Sequence, residues 1–443
     1  MKAARATSSK KAQKKQAVSK KASSAKKASA PKAKKNLKLV PKAGKKAEVK
    51  KTAAKEAPKK PEAKKPEAKK KVLVNAFETF IQMWKPKNES FEAGLDKLFA
   101  EYPSPDKDVE AYKRSVKDKI QTQMRKEPLT GSMEEQLGER FPRDRIHKMS
   151  SIWSMKPKSS IRLNTLKVDI NGFSLSQTAK DLKIKRSIMS PWAFEVPKSE
   201  EVYTHPTYER GLYDFQDEAS QLISLLVNAR PGQRVLDLCA GEGDTSLALS
   251  FMMKNKGSLF VYDSDPKKTK IFKEKATRAG IDNYRILTDS QIAEVKSLDA
   301  VLIHAPSSGL GALGAHPETK WKFHKEDLPR IHRLQAALLR EGARKLKLGG
   351  YLVYATSTLN KTENEMQIEH FLKSTHNSYR LVPITSFMKD FLVPYLENFL
   401  QFKWDEKTFS SLMEFDPYFV MSPDMHGTNG TFAAIIQRTR IST

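Results

Sequence analysis

Residues 211–443 are expected to form an α/β domain built on a doubly wound parallel sheet, and three observations lead there. Short apolar runs alternate with helical segments; the run at 235–238 breaks into a glycine-containing turn before a helix; and the next apolar run ends in a carboxylate, Asp263. The central stretch is V-L-D-L-C-A-G-E-G-D-T-S at 235–246, continuing as L-A-L-S-F-M-M. It reads as strand, tight turn and helix. Gly241 and Gly243 let the backbone bend and approach a ligand, and the following helix points its free N–H groups into the turn. That is the pattern of a nucleotide-type cofactor site, although the same pattern also serves as a plain connection. S-L-F-V-Y-D at 258–263 supports the cofactor reading, because Asp263 stands 26 positions after Asp237, where such folds place a ribose-binding carboxylate. Asp265 is its neighbour without that role.

The other elements follow in order. The segment 267–280 reads as a helix ended by Gly280, and Y-R-I-L-T-D as a third strand ending at Asp289. L-D-A-V-L-I-H is the fourth strand, 328–346 a long helix, and G-Y-L-V-Y-A-T-S the fifth strand. Functional loops are expected after Leu238, Asp263, Asp289, His304 and Thr356, at the carboxyl ends of the strands. Upstream, 72–155 shows helical spacing with a proline-containing break at 102–106. Residues 156–210 read as a small α+β module: I-R-L-N-T-L-K-V as strand, S-L-S-Q-T-A-K-D-L as helix, A-F-E-V as strand. Its basic residues, Arg162, Lys167, Lys183, Lys185 and Arg186, are expected on the surface, either gripping nucleic acid or as an ordinary solvated face.

Of the net charge of +29, residues 1–71 hold +23, from 27 Lys/Arg against 4 Glu, and they contain no aromatic residue. Such a Lys/Ala/Pro-rich stretch buries too little surface to offset its ordering entropy, so a disordered tail is expected. A polycation of this kind binds phosphate backbones non-specifically and in a salt-dependent way; a tail that only confers solubility is the other reading. No apolar run is long enough to span a membrane, so no membrane partner is expected. The single cysteine, Cys239, excludes an internal disulfide and a cysteine zinc cluster, and no metal site is expected.

Six motifs then stand in order: I-R-L-N-T-L-K; F-Q-D-E-A-S-Q-L; V-L-D-L-C-A; S-S-G-L-G followed by H-P-E-T-K-W; G-G-Y-L-V-Y-A-T-S; and P-D-M-H-G-T-N-G-T-F-A-A. With these, residues from about 133 to 438 resemble the RsmB/NOP/Sun family of S-adenosylmethionine-dependent RNA (cytosine-5) methyltransferases. The resemblance implies a Rossmann-like methyltransferase domain over 211–443 and S-adenosylmethionine as cofactor, beside the module at 156–210 whose basic residues suggest RNA binding. It implies that Cys239, Ala240, Gly241, Glu242, Gly243, Asp244 and Thr245 hold the methionine part, Asp263 the ribose and Asp289 the adenine edge. The expected partner is RNA, above all ribosomal RNA, bound by a monomer in the cytoplasm, or in the nucleolus of a nucleated cell.

The chain also departs from the family pattern. Where relatives read C-A-A-P-G-G-K-T, this turn has Glu242, Asp244 and Thr245 in place of an apolar ring, a glycine and a lysine. Family members attack carbon 6 of cytosine with a cysteine in T-C-S and release product with a second in D-A-P-C-S-G. Here those positions are Ser357 and Ser307, the supporting carboxylate is His304, and the arginine pair before H-P is Gly314 and Ala315. A serine hydroxyl without a strong base is almost wholly protonated near neutrality, whereas a thiol carries a few per cent thiolate. The two serines can equally be small polar residues packed in their turns. Three functions stay open: an RNA-binding member of the family that makes no 5-methylcytosine; a methyltransferase acting without a covalent adduct on another acceptor, with His304 as base and part of the cofactor pocket; and a nucleic-acid binder in which the tail does everything.

Overall fold

The computed structural model describes residues 75–440, apart from 106 and 198. The chain divides into the units Met1–Glu67 and Ala68–Thr443, and every described residue lies in the second. The expected disordered tail over 1–71 falls outside the described residues.

Two sheets organise this unit. The smaller contains β1 (Ser159–Leu163), β2 (Lys185–Arg186), β3 (Ala193–Val196) and β4 (Tyr213–Phe215), in the order β2-β3-β1-β4 and antiparallel throughout. Its fourth strand thus comes from beyond residue 210. β1 stops at Leu163, short of the eight-residue strand expected there. Asn164 accepts the Leu166 N–H at 3.1 Å and donates to the Gly211 and Ala279 carbonyls at 2.9 and 2.8 Å, which turns the chain. The expected single helix is two, Ile170–Leu175 and Gln177–Asp181, because Ser176 caps the second by accepting the Ala179 N–H at 3.2 Å.

The larger sheet contains β5 (Arg234–Asp237), β6 (Ser258–Val261), β7 (Tyr284–Ile286), β8 (Leu298–Ala305), β9 (Leu346–Thr356), β10 (Tyr379–Val382), β11 (Phe419–Met421) and β12 (Thr431–Arg438). Its order is β10-β12-β9-β8-β5-β6-β7, with β11 paired to β12. The five strands β5 to β9 are mutually parallel, as expected for a doubly wound sheet. β10, β11 and β12 extend one edge in antiparallel fashion, which the sequence reading did not anticipate. Alternation along the strands builds both faces: Val235, Leu259, Leu302 and Val353 enter one apolar cluster, and Leu236, Phe260, Ile303 and Leu352 enter the other. Because both faces are covered, the strands read as unbroken apolar runs. Ile161, Phe194 and Tyr213 of the small sheet belong to the first cluster, so the two sheets share a core.

Helices Ala76–Met83, Phe91–Glu101 and Val109–Lys126 form a third cluster around Phe80, Trp84, Leu98 and Ile120. They pack on the loop after β8. Phe77 meets Trp321 edge to face at 6.3 Å, Arg125 Nε donates to the Gly314 carbonyl at 2.9 Å, and Lys320 Nζ donates to the Arg125 carbonyl at 2.9 Å. Among the described residues no helix is long and apolar enough to cross a membrane.

One surface expectation is overturned. Arg162 is completely buried, because its side chain packs under the start of a helix of the larger domain instead of facing water. Its guanidinium donates to Gln216 Oε1 and, at 2.5 Å, to the Asp244 carbonyl at the start of the helix Asp244–Met252, and it lies 5.2 Å from the Phe251 ring. Lys167 is exposed, yet its Nζ donates to the Arg210 and Arg278 carbonyls at 2.7 Å each. Lys183 and Lys185 remain solvated and Arg186 is half-buried against Asn171. Removing a buried, hydrogen-bonded cation leaves its partners unpaired, so Arg162→Ala is expected to cost about 3 kcal/mol, read as a shift in the urea unfolding midpoint.

Candidate active site

The turn after β5 is closed from below by Asp237. This carboxylate is buried, and its Oδ2 accepts the Thr245 and Ser246 hydroxyls at 2.7 Å each, while Oδ1 has no partner among the described residues. Burial outweighs those two bonds and pushes its pKa up to about 6. Gly241 (φ 56°) and Gly243 (φ 85°) both occupy the left-handed region. A Cβ at Gly243 would lie 2.0 Å from Phe272 Cδ2, so only glycine fits, whereas a Cβ at Gly241 would stand in open space.

Asp263 sits at the carboxyl end of β6. Its Oδ2 accepts the Gly241 N–H at 2.8 Å and its Oδ1 the Asp265 N–H at 2.9 Å. Each oxygen keeps a further lone pair for a hydroxyl donor. Asp289 is exposed at the start of the helix Asp289–Glu294 and accepts the Tyr262 hydroxyl at 2.8 Å. That bond, together with desolvation, pushes the Tyr262 hydroxyl up to about 12. The two carboxylates added to the turn, Glu242 and Asp244, both pair with Lys275, at 3.1 and 2.8 Å. Lys275 belongs to the helix Pro266–Ala279, where one lysine among many gave no sign of this role.

A cleft of about 490 Å³ opens beside the turn. Cys239, Ala240, Gly241, Glu242, Asp244 and Thr245 line one wall, and His304 and Asp217 line others. Gly243 is buried behind the turn, Asp263 joins the wall through the Gly241 N–H, and Asp289 lies beyond Tyr262. His304, in β8, brings in Ser357: its Nε2 lies 3.0 Å from Ser357 Oγ, and burial lowers the imidazole to about 4. It is therefore neutral near pH 7. Ser307 is half-buried, and no described hydrogen bond joins it to that pair. Burial, with Asp237 and Asp263 nearby, raises the Cys239 thiol far above its ordinary pKa.

Other contributors were missed in the sequence. Asp217 was noticed only within the F-Q-D-E-A-S motif; it is half-buried and accepts the Asn429 and Ala219 N–H groups at 3.4 and 3.0 Å, and desolvation raises its pKa. Glu363 is fully buried and accepts the Ser308 N–H at 2.8 Å, the Ser308 hydroxyl at 2.5 Å and Gln335 Nε2 at 3.1 Å. It locks the loop after β8 to the loop after β9. No local pattern distinguishes it from a surface acid.

Residues 224–437 match the family model of the 16S rRNA methyltransferase RsmB/F. The probable ribosomal RNA small subunit methyltransferase B of Bacillus subtilis is 32% identical over 231 residues, 51% of this chain and 52% of that one. The chain spans about half the length of the curated relatives it matches. Of solved structures, PH0851 is 26% identical with a TM-score of 0.60, over 79% of this chain and 72% of that one. NSun6 from Pyrococcus horikoshii, solved with SFG, has the same fold at a TM-score of 0.57 and 15% identity, over 70% of this chain and 99% of that one. With the sheet order and the glycine turn, these matches make residues 224–437 similar to the RsmB/F-type rRNA methyltransferases and show a Rossmann-like methyltransferase fold.

Proposed function

We propose that this protein binds ribosomal RNA and S-adenosylmethionine but does not form 5-methylcytosine. The observation that carries the reading is the pair at the expected nucleophile position, Ser357 Oγ 3.0 Å from an imidazole whose pKa is held near 4. Attack on carbon 6 of cytosine needs a thiolate or a hydroxyl stripped of its proton. A base of such low pKa leaves the Ser357 proton in place. The one thiol, Cys239, stays protonated in the wall of the turn and belongs to the cofactor side of the cleft.

Several features favour S-adenosylmethionine. The cleft has the volume of a small-molecule site. The Gly241 position leaves open space beside the backbone, and Asp263 has acceptor capacity for both ribose hydroxyls. Lys275 pairs with both Glu242 and Asp244 and offsets one of their two charges, so the altered turn keeps a single net negative charge beside the positively charged sulfonium and amino groups of the cofactor. When bound, the cofactor supplies an electrophilic methyl group. In this reading Cys239 to Thr245 hold its methionine part and Asp289, steadied by Tyr262, faces its adenine edge. The nucleolus is the expected place of action in a nucleated cell.

A second reading, methyl transfer to an amine or hydroxyl with His304 taking the proton, is favoured by one fact: His304 lines the cleft in its neutral form. The low basicity of that imidazole weighs against it.

Three measurements test these readings. With methyl-labelled cofactor and ribosomal RNA, digestion of the RNA is expected to yield no labelled 5-methylcytosine; its appearance overturns the first reading, and label on another nucleoside supports the second. Calorimetric titration is expected to show S-adenosylmethionine binding that Asp263→Ala weakens at least about tenfold, the loss of a charge-assisted hydrogen bond. The third concerns pH. His304 has a folded-state pKa below its unfolded value of 6.5, so its contribution to stability is fully present above pH 6.5 and is lost as pH falls toward 4. His304→Gln is therefore expected to flatten the decline in unfolding free energy between pH 6.5 and 4 seen by urea titration.

A further inference from the structure

On the side of the molecule carrying the start of β9 and the end of β12, away from the cofactor turn, a cavity of about 670 Å³ is lined by Arg340, Arg344, Arg440 and His376 over a floor that includes Phe371 and Tyr379. Among the described residues no carboxylate lines it. Arg340 and Arg344 come from the helix Leu328–Lys345, whose buried face carries Leu328, Gln335, Leu339 and Gly342. The opposite face presents Arg330, Arg333, Arg340 and Arg344, all exposed. At 1.5 Å per residue this row is about 21 Å long. The acid within the row's span, Glu341, is engaged by Lys345 at 2.8 Å. Among the described residues no ion pair or hydrogen bond occupies the guanidinium groups of the row or of Arg440.

Four arginines in line that no described acid pairs, leading into a cavity lined by no described acid, repel one another in the free protein. The ligand that relieves this is a chain of phosphates, which guanidinium forks bind in pairwise fashion. A single small anion accounts for the cavity but not for the row. We propose that this face is a second nucleic-acid contact, which holds the sugar–phosphate backbone of an RNA strand apart from the cofactor cleft. It rests on the RNA-binding reading above. The helix ties this face to the cleft, since Gln335 on its inner side donates to the Pro306 carbonyl at 3.0 Å and to Glu363 at 3.1 Å.

The test uses the full chain and a labelled hairpin fragment of small-subunit ribosomal RNA. In the wild type, RNA is expected to protect Arg340, Arg344 and Arg440 from phenylglyoxal, mapped by mass spectrometry, while inorganic phosphate at the same phosphate concentration does not. The variant Arg340→Ala/Arg344→Ala/Arg440→Ala, with an unchanged melting temperature and unchanged S-adenosylmethionine binding, is expected to bind the fragment about tenfold more weakly, with a salt slope shallower by about 2 to 3. The single variant Arg340→Glu, on an exposed position, checks the same loss independently of the triple change. Equal affinity and slope in both variants, or no protection by RNA, overturns the proposal while wild-type RNA binding leaves the general reading standing. Equal protection by inorganic phosphate also overturns it, in favour of a small-anion site. A wild type that does not bind the fragment removes both.

Discussion

The site hangs on Asp237. By accepting the Thr245 and Ser246 hydroxyls from inside the fold, its buried carboxylate pulls the first turn of the following helix down onto the end of β5. The intervening residues must then cross a short gap with two left-handed glycines, one pressed against Phe272 and the other facing open space. Arg162 holds the same helix start from the side of the small sheet. The cofactor turn is thus fixed by two polar anchors reaching it from separate sheets with a common apolar core.

The opposite wall is built differently. His304 lies in β8, in register with Ala355 of the adjacent parallel strand β9; Ser357 follows the end of β9, and the loops after the two strands are joined through Glu363. Three bonds to one buried carboxylate keep this region rigid whatever residues occupy positions 307 and 357. On the proposed reading, serine at positions 307 and 357 leaves the scaffold intact, since the side-chain bonds tying the two loops run through Ser308, Thr358 and Glu363, and Ser357 adds its backbone carbonyl, which accepts the Gly311 N–H at 3.0 Å, a bond any residue there can make.

The parallel sheet was legible because burial on both faces writes itself as unbroken apolar runs, and the turn because a left-handed backbone pressed against a neighbour admits glycine. Asp263 was placed by its position at the end of β6. The antiparallel strands β10 to β12 were not read, because a helical stretch separates β10 from β11 and the strands join the sheet through the pairing of β12 with β9, made across the chain. Arg162 was misjudged because a lone arginine in a strand has the same local pattern whether it faces water or a helix terminus. Lys275 and Glu363 act through partners 28 to 55 residues away, a separation that carries no local signature, and Asp217, which caps the helix Glu218–Leu226, also bonds Asn429, 212 residues on.

Lys275 gives the turn an unusual dependency. Its ammonium is shared between Glu242 and Asp244, so the three residues form a single charge unit rather than independent replacements. Restoring a proline and a glycine at the two acidic positions would strand a partly buried cation beside a cationic sulfonium ligand. Any exchange of the two acids is therefore coupled to Lys275, which ties the turn to the helix Pro266–Ala279.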